Sequence, residues 1–176
     1  MKKKETFLPS EAYIFWGPLL IIALVLIDQG TKLLALRYLK NQQDLILIPG
    51  VLELNYLENR GMAFGLFQGK RLMLILLCTV FFAVFLYFYI KVPKTKYYLP
   101  LILISLFMFA GAFGNFIDRL LRGFVVDFIY ISLIDFPVFN VADIYVVCSG
   151  ILLVLFTLLK YKDDHDFDFL KIKHTR

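Results

Sequence analysis

Polar and apolar positions segregate along this chain into four long uncharged runs joined by unequal links. Ala12–Ile27, Leu72–Ile90, Tyr97–Ile117 and Ile144–Leu159 contain no Asp, Glu, Lys or Arg. A helix that spans a bilayer needs roughly 17–25 apolar residues. The second and third runs meet that alone, and the first and fourth reach it with their flanks. The pattern predicts helices over about 12–36, 72–90, 97–121 and 141–160, in a single membrane domain covering 1–176. Outer loops then cover about 37–71 and 122–140, and a tail follows from about 161.

The first outer link, residues 28–71, is far from hydrophilic. In Val51-Leu52-Glu53-Leu54-Asn55-Tyr56-Leu57, alternation sets Leu52, Leu54 and Tyr56 on one face, opposite Glu53 and Asn55, as in a half-buried strand. Leu45-Ile46-Leu47-Ile48 precedes it across a Pro49-Gly50 turn, which predicts a small hairpin. In the second outer link, Phe124–Ile131 is aromatic and β-branched and reads as a strand. Asn140 followed by Asp143 reads as an N-cap with an acid three residues on, opening the fourth helix. The fold class is mainly α: four transmembrane helices with a small extracytoplasmic β-sheet and an interfacial loop.

Composition agrees. The 176 residues are 60% hydrophobic and 19% charged, more apolar surface than a soluble domain of this length can bury. Lys2-Lys3-Lys4 before an apolar run imitates a secretory signal peptide, but Asp28-Gln29-Gly30-Thr31-Lys32 closes the run where a small-residue cleavage site would stand. With a cytoplasmic N-terminus, the inner segments hold eleven of the nineteen Lys and Arg residues; this basic bias orients both termini to the cytoplasm. The net charge of +5 then reflects membrane anchoring and needs no nucleic-acid partner. The tail from Lys160, with Asp163, Asp164, Asp166 and Asp168, reads as a solvated, poorly ordered extension. Cys78 and Cys148 lie in apolar runs and read as small core hydrophobes, with no disulfide framework.

Elimination narrows the chemistry. Both histidines, His165 and His174, lie in the tail, which argues against a Ser-His or Cys-His nucleophile and against a histidine-built zinc site. Ser105 and Ser149 lie inside spans without a lysine nearby in sequence. What remains is carboxylates at the outer boundary: Asp28, Asp118, Asp127, Asp135 and Asp143. Ionisable groups near lipid are costly and are functional candidates by default. Asp28 and Lys32 share a helical face, as a catalytic support or simply as a boundary ion pair. Asn115 and Arg119 share another, beside Asp118, which reads first as structural; Ala110-Gly111-Ala112-Phe113-Gly114 before them offers a small-residue surface for helix packing.

Asp127, within a Val-Val-Asp-Phe-Ile strand, sits where desolvation raises a carboxyl pKa. Asp143, in a first helical turn, sits where the helix dipole favours a carboxylate. Opposed environments of this kind suit an acid–base pair that activates water against a peptide carbonyl without metal or cofactor. On chemistry alone, two interfacial anchoring acids remain a slightly simpler account. A proton or cation path is a further alternative, opposed by the Leu, Phe, Ile and Val at the span centres. A non-enzymatic membrane scaffold is another.

Asp28–Lys32, Asn59-Arg60-Gly61-Met62-Ala63-Phe64-Gly65, Gly114-Asn115-Phe116-Ile117-Asp118-Arg119, Val125–Phe128 and Phe139–Asp143 resemble, in order, the conserved blocks of the lipoprotein signal peptidases (signal peptidase II). The resemblance covers roughly residues 15–160. It implies a bacterial cytoplasmic (inner) membrane aspartic endopeptidase that removes signal peptides from prolipoproteins. The cut falls on the N-terminal side of a cysteine already carrying diacylglyceryl, so the implied partners are these prolipoproteins and membrane lipid. It implies Asp127 and Asp143 as catalytic, with Asp28, Lys32, Asn59, Asn115, Arg119 and Asn140 in support. Asp118 joins that support, and is the chief rival for a place in the dyad. It further implies an active site near the outer face, a protein that works as a monomer, and inhibition by the cyclic peptide globomycin. The stretch from Asp127 to Asp143 looks short for the family, and the tail has no obvious counterpart.

Overall fold

The computed structural model describes residues 10–61, 66–163 and 165–171. Lys2, Lys3, Lys4, Asp164, His174 and positions 62–65 of the Asn59–Gly65 block therefore lie outside the described residues. In chain order the elements are α1 (Ser10–Tyr38), β1 (Leu45–Ile48), β2 (Leu52–Asn59), α2 (Arg71–Lys91), α3 (Leu99–Leu121), β3 (Val125–Tyr130) and α4 (Val141–Leu159). Short 3-10 turns follow at Ser132–Ile134 and Asp168–Leu170.

Each of the four helices carries a stretch long and apolar enough to cross a membrane. Their outward residues, among them Leu72, Val80, Ile90, Leu121 and Leu158, are exposed aliphatics. Such a surface is unfavourable in water and neutral in lipid, where helix association depends on packing and polar contacts. At about 1.5 Å per residue, the 29 residues of α1 outreach a hydrocarbon core of about 30 Å. The helix therefore extends beyond the hydrocarbon core unless it tilts.

α3 is central and packs against α1, α2 and α4. Two glycines permit this. A Cβ on Gly111 would lie 2.4 Å from the Ala142 carbonyl oxygen, and one on Gly114 would lie 2.3 Å from Asp28 Oδ2. Phenylalanines fill the α2–α3 seam instead: Phe82 meets Phe109, Phe113 and Phe116, and Phe85 lies 4.4 Å from Phe109 between ring centroids.

The sheet is antiparallel in the order β1-β2-β3, so the strand of the second outer link completes the hairpin of the first. Gly50, at φ +70°, closes the β1–β2 turn, a conformation glycine adopts without steric cost. A bulge between Leu54 and Leu57 shifts the register, and Leu57 pairs with Asp127. Val126 and Phe128 pack with Leu54 and Tyr56 against Ala35 and Leu36 of α1 and Leu39 just after it. Strand alternation then turns Asp127 the other way, toward the helix ends.

The tail departs from expectation. It docks on the opposite end of the bundle: Tyr161 and Asp166 are buried, and Phe167 and Phe169 join the core formed by Tyr98, Leu101 and Phe85. Asp166 accepts hydrogen bonds from the Tyr97 hydroxyl at 2.9 Å and from the backbone N–H of Asp163 at 3.1 Å. The aromatic residues spaced among its acids carry this docking, and a reading weighted to charge overlooks them.

Gly111→Ala should lower stability by about 1–3 kcal/mol, since the added methyl forces α3 from α4. Thermal unfolding in detergent would show it as a depressed midpoint; an unchanged midpoint would mean the helices have room to part.

Candidate active site

Polar residues of α1 and α3 converge on one buried ammonium. Lys32, four residues after Asp28 in α1, lies 2.9 Å from Asp28 Oδ2 and 3.0 Å from Asp118 Oδ2 of α3. It also donates to Asn115 Oδ1 at 2.8 Å. Lys32, Asp28 and Asp118 are all fully buried, so the Asp28–Lys32 pair lies in the protein interior. Arg122 adds a second cation by pairing with Asp118 Oδ1, and the two acids and two bases balance. Each acid also seats a neighbouring element. Asp28 Oδ1 accepts the N–H of Ala142 at the start of α4, at 3.1 Å. Asp118 Oδ2 accepts the N–H of Val126 in β3, at 3.3 Å.

Asp127 and Asp143 flank Asn140, which bonds to both. The Asn140 amide donates to Asp127 Oδ1 at 2.6 Å and to Asn115 Oδ1 at 3.2 Å. Its side-chain oxygen accepts the N–H of Asp143, and Asp143 Oδ2 accepts the N–H of Asn140, both at 3.1 Å, in a reciprocal cap of α4. Asn115 donates to Asp143 Oδ1 at 2.8 Å. Asn59, at the end of β2, donates to Asp127 Oδ2 at 2.8 Å. Asp127 is thus buried between two amides, whereas Asp143 is half-buried. Burial first, and then the nearby charge of Asp143, push the Asp127 carboxyl up to about 7, against the amides and Lys32, which favour its ionised form.

Arg119 completes the arrangement. It donates to the Gly61 carbonyl at 2.9 Å, and the Gly61 N–H donates to Asn59 Oδ1 at 2.9 Å. A Cβ on Gly61 would stand 2.7 Å from the Leu66 carbonyl oxygen, so the turn has room for no other residue there.

Two carboxylates sharing an asparagine, one of them buried with its pKa raised, form an acid–base pair able to activate a water. Among the described residues no group of His, Cys, Asp and Glu side chains could hold a metal ion.

The family model for signal peptidase (SPase) II matches residues 20–159. The lipoprotein signal peptidase of Clostridium novyi (strain NT) is 40% identical over 147 residues, which are 82% of this chain and 98% of that protein. That of Staphylococcus haemolyticus (strain JCSC1435) is 38% identical over 162 residues, 91% and 96% of the two chains. The chain belongs to the signal peptidase II family. A bacterial membrane enzyme solved by the in meso method at 1.9 Å resolution superposes with a TM-score of 0.74 at 33% identity, covering 91% of this chain and 99% of that one.

In this signal peptidase II, one network joins Asp28, Lys32, Asn59, Asn115, Asp118, Arg119, Asp127, Asn140 and Asp143. Asp135 stands apart: it is exposed, in a left-handed conformation, and accepts from the Tyr130 hydroxyl at 2.7 Å. Both Asp118 oxygens are engaged by Lys32, Arg122, Gln29 and Val126, so it anchors elements and has no oxygen to spare for water. Sequence reasoning missed Gln29, Arg122 and Arg71. Gln29 bridges Asp28, Asp118 and the Gly114 carbonyl, and the i, i+4 spacing of Arg122 from Asp118 was its available signal. Arg71 lies at the start of α2, 48 residues from its partner Arg119, and carried none.

Lys32→Met should destabilise the protein by about 3–5 kcal/mol, because two buried carboxylates lose their shared cation. A thermal midpoint within experimental error of wild type would show that the cluster holds without it.

Proposed function

We propose that Asp127 and Asp143 are the catalytic pair with which this lipoprotein signal peptidase, a multi-pass membrane enzyme, cleaves the signal peptides of prolipoproteins. The observation that carries the assignment is Asn140, bonded to both carboxylates at the start of α4.

In the resting enzyme Asp127 holds the proton and Asp143 is ionised. Asp143 takes a proton from water, the resulting hydroxide adds to the scissile carbonyl carbon, and Asp127 gives its proton to the carbonyl oxygen. Asp143 then returns a proton to the departing nitrogen as the C–N bond breaks, and Asp127 recovers its own as the tetrahedral hydroxyl collapses to a carboxylic acid. Asn115 and Asn140 hold Asp143 for this exchange, and Asn59 holds Asp127. In keeping with the family resemblance, the substrate cysteine carries diacylglyceryl and the cut precedes it. The enzyme works as a monomer in the bacterial inner membrane with both termini cytoplasmic and the dyad near the outer face, and globomycin blocks it.

Asp127→Asn and Asp143→Asn should each retain the fold and lower cleavage by about 10²–10⁴-fold, followed by gel shift of a diacylglyceryl-modified prolipoprotein. Activity surviving Asp127→Asn would move the dyad elsewhere. A second expectation concerns pH. Since the Asp127 carboxyl titrates at about 7 and must carry a proton, kcat/KM should fall as pH rises through that value. Rates still climbing above pH 8 would exclude Asp127 as the acid.

A further inference from the structure

Arg71, the first residue of α2, is not part of the charge cluster, yet it grips the helix that carries Asn115, Asp118 and Arg119. Its Nε donates to the Arg119 carbonyl at 2.7 Å, and a terminal nitrogen donates to the Leu120 carbonyl at 2.8 Å. The last carbonyls of a helix have no intrahelical donor, and a guanidinium at the negative end of the helix dipole satisfies two of them with a charge of favourable sign. The chain then turns through Gly123 at φ +83°, where the guanidinium lies close enough to meet an added Cβ at 3.6 Å. Both Arg122 and Gly123 donate back to the Asp118 carbonyl, so the end of α3 is held by its own turn and by Arg71.

That end bears Asn115, Asp118 and Arg119, whose contacts lead to Asp143, β3 and Gly61. The route to Asp127 is short. Arg119 holds the Gly61 carbonyl, Gly61 holds the Asn59 side-chain oxygen, and the Asn59 amide donates to Asp127. The same loop returns to Arg71: the Gly69 N–H donates to the Arg60 carbonyl at 3.1 Å, and the Leu66 and Gln68 backbones leave no space for a Cβ at Gly61. Arg71 therefore ties the loop between Asn59 and α2 to the helix end that bears Arg119.

We infer that Arg71 is a positioning residue for cleavage, setting the Arg119–Gly61–Asn59 relay that orients Asp127. This rests on Asp127 being a member of the dyad. A Lys at this position supplies the charge but not the two-pronged grip on neighbouring carbonyls.

The test compares wild type, Arg71→Ala and Arg71→Lys, purified in detergent, for cleavage of a diacylglyceryl-modified prolipoprotein from pH 5 to 9. Small displacements of a catalytic group lower kcat, so Arg71→Ala should lose about tenfold to a hundredfold in kcat with KM little changed. Arg71→Lys should fall between it and wild type. Asn59 donation favours the ionised form of Asp127, so weakening it should move the alkaline limb of the profile to higher pH. In an Asn59→Ala background, adding Arg71→Ala should change the profile no further. Wild-type kcat and profile in both variants would overturn the inference. So would losses in Arg71→Ala that stay additive with Asn59→Ala. If Arg71→Ala does not fold, Arg71→Lys decides the matter alone, through its own profile and its additivity with Asn59→Ala. Full cleavage by Asp127→Asn would instead remove the dyad assignment beneath it.

Discussion

The Lys32 ammonium is the point on which the architecture turns. Ionisable side chains within membrane helices are costly, and a charge buried in protein without a partner costs several kcal/mol. Lys32 is fully buried, so α1 is stable only with carboxylates beside it. Asp28 comes from its own helix and Asp118 from α3, and their ion pairs set the depth at which α1 and α3 meet. The second oxygen of Asp28 holds the first turn of α4, while the Asp118 oxygen beside Lys32 also holds β3. A neutralisation requirement in one helix thereby locates both elements that carry Asp127 and Asp143.

Close approach is the companion condition. Gly114 leaves room for the Asp28 carboxylate and Gly111 for the α4 backbone. Without them α3 would stand off, and the contacts of Asn115 with Lys32 and Asp143 would be out of reach. The aromatic α2–α3 seam demands no such precision, since phenylalanines fill space in many ways. α2 is accordingly the peripheral helix, tied to the site end by Arg71 and to the far end by the docked tail.

Much of the fold was legible because lipid imposes simple rules. Uncharged runs of sufficient length marked the four helices; alternation marked β2, an apolar run before a Pro-Gly turn marked β1, and aromatic and β-branched residues marked β3. The cap of α4 was readable from Asn140 and Asp143, since a helix start is a local matter. Less local features were harder. Nothing in the alternation of β2 revealed the bulge at Leu54–Leu57, which places Leu57 opposite Asp127. The tail was misjudged because its acids outweighed its aromatics, and only the bundle end shows a surface on which Phe167 and Phe169 pack.

The sequence by itself determined the solvent, the number of helices, the family and the acids able to do chemistry. Hydrophobicity, strand alternation and capping depend on near neighbours, and the family blocks are short runs of the chain. The tertiary structure alone decided which acid sits among cations and which among amides. Asp118 and Asp127 are both buried and both amid polar partners, yet cations occupy the oxygens of one while amides flank the other. That difference arises because α1 and α3 bring Lys32 and Arg122 to Asp118, while β2 and α4 bring Asn59 and Asn140 to Asp127. Electrostatic environment is a property of groups distant in sequence, and it exists only once the helices have met.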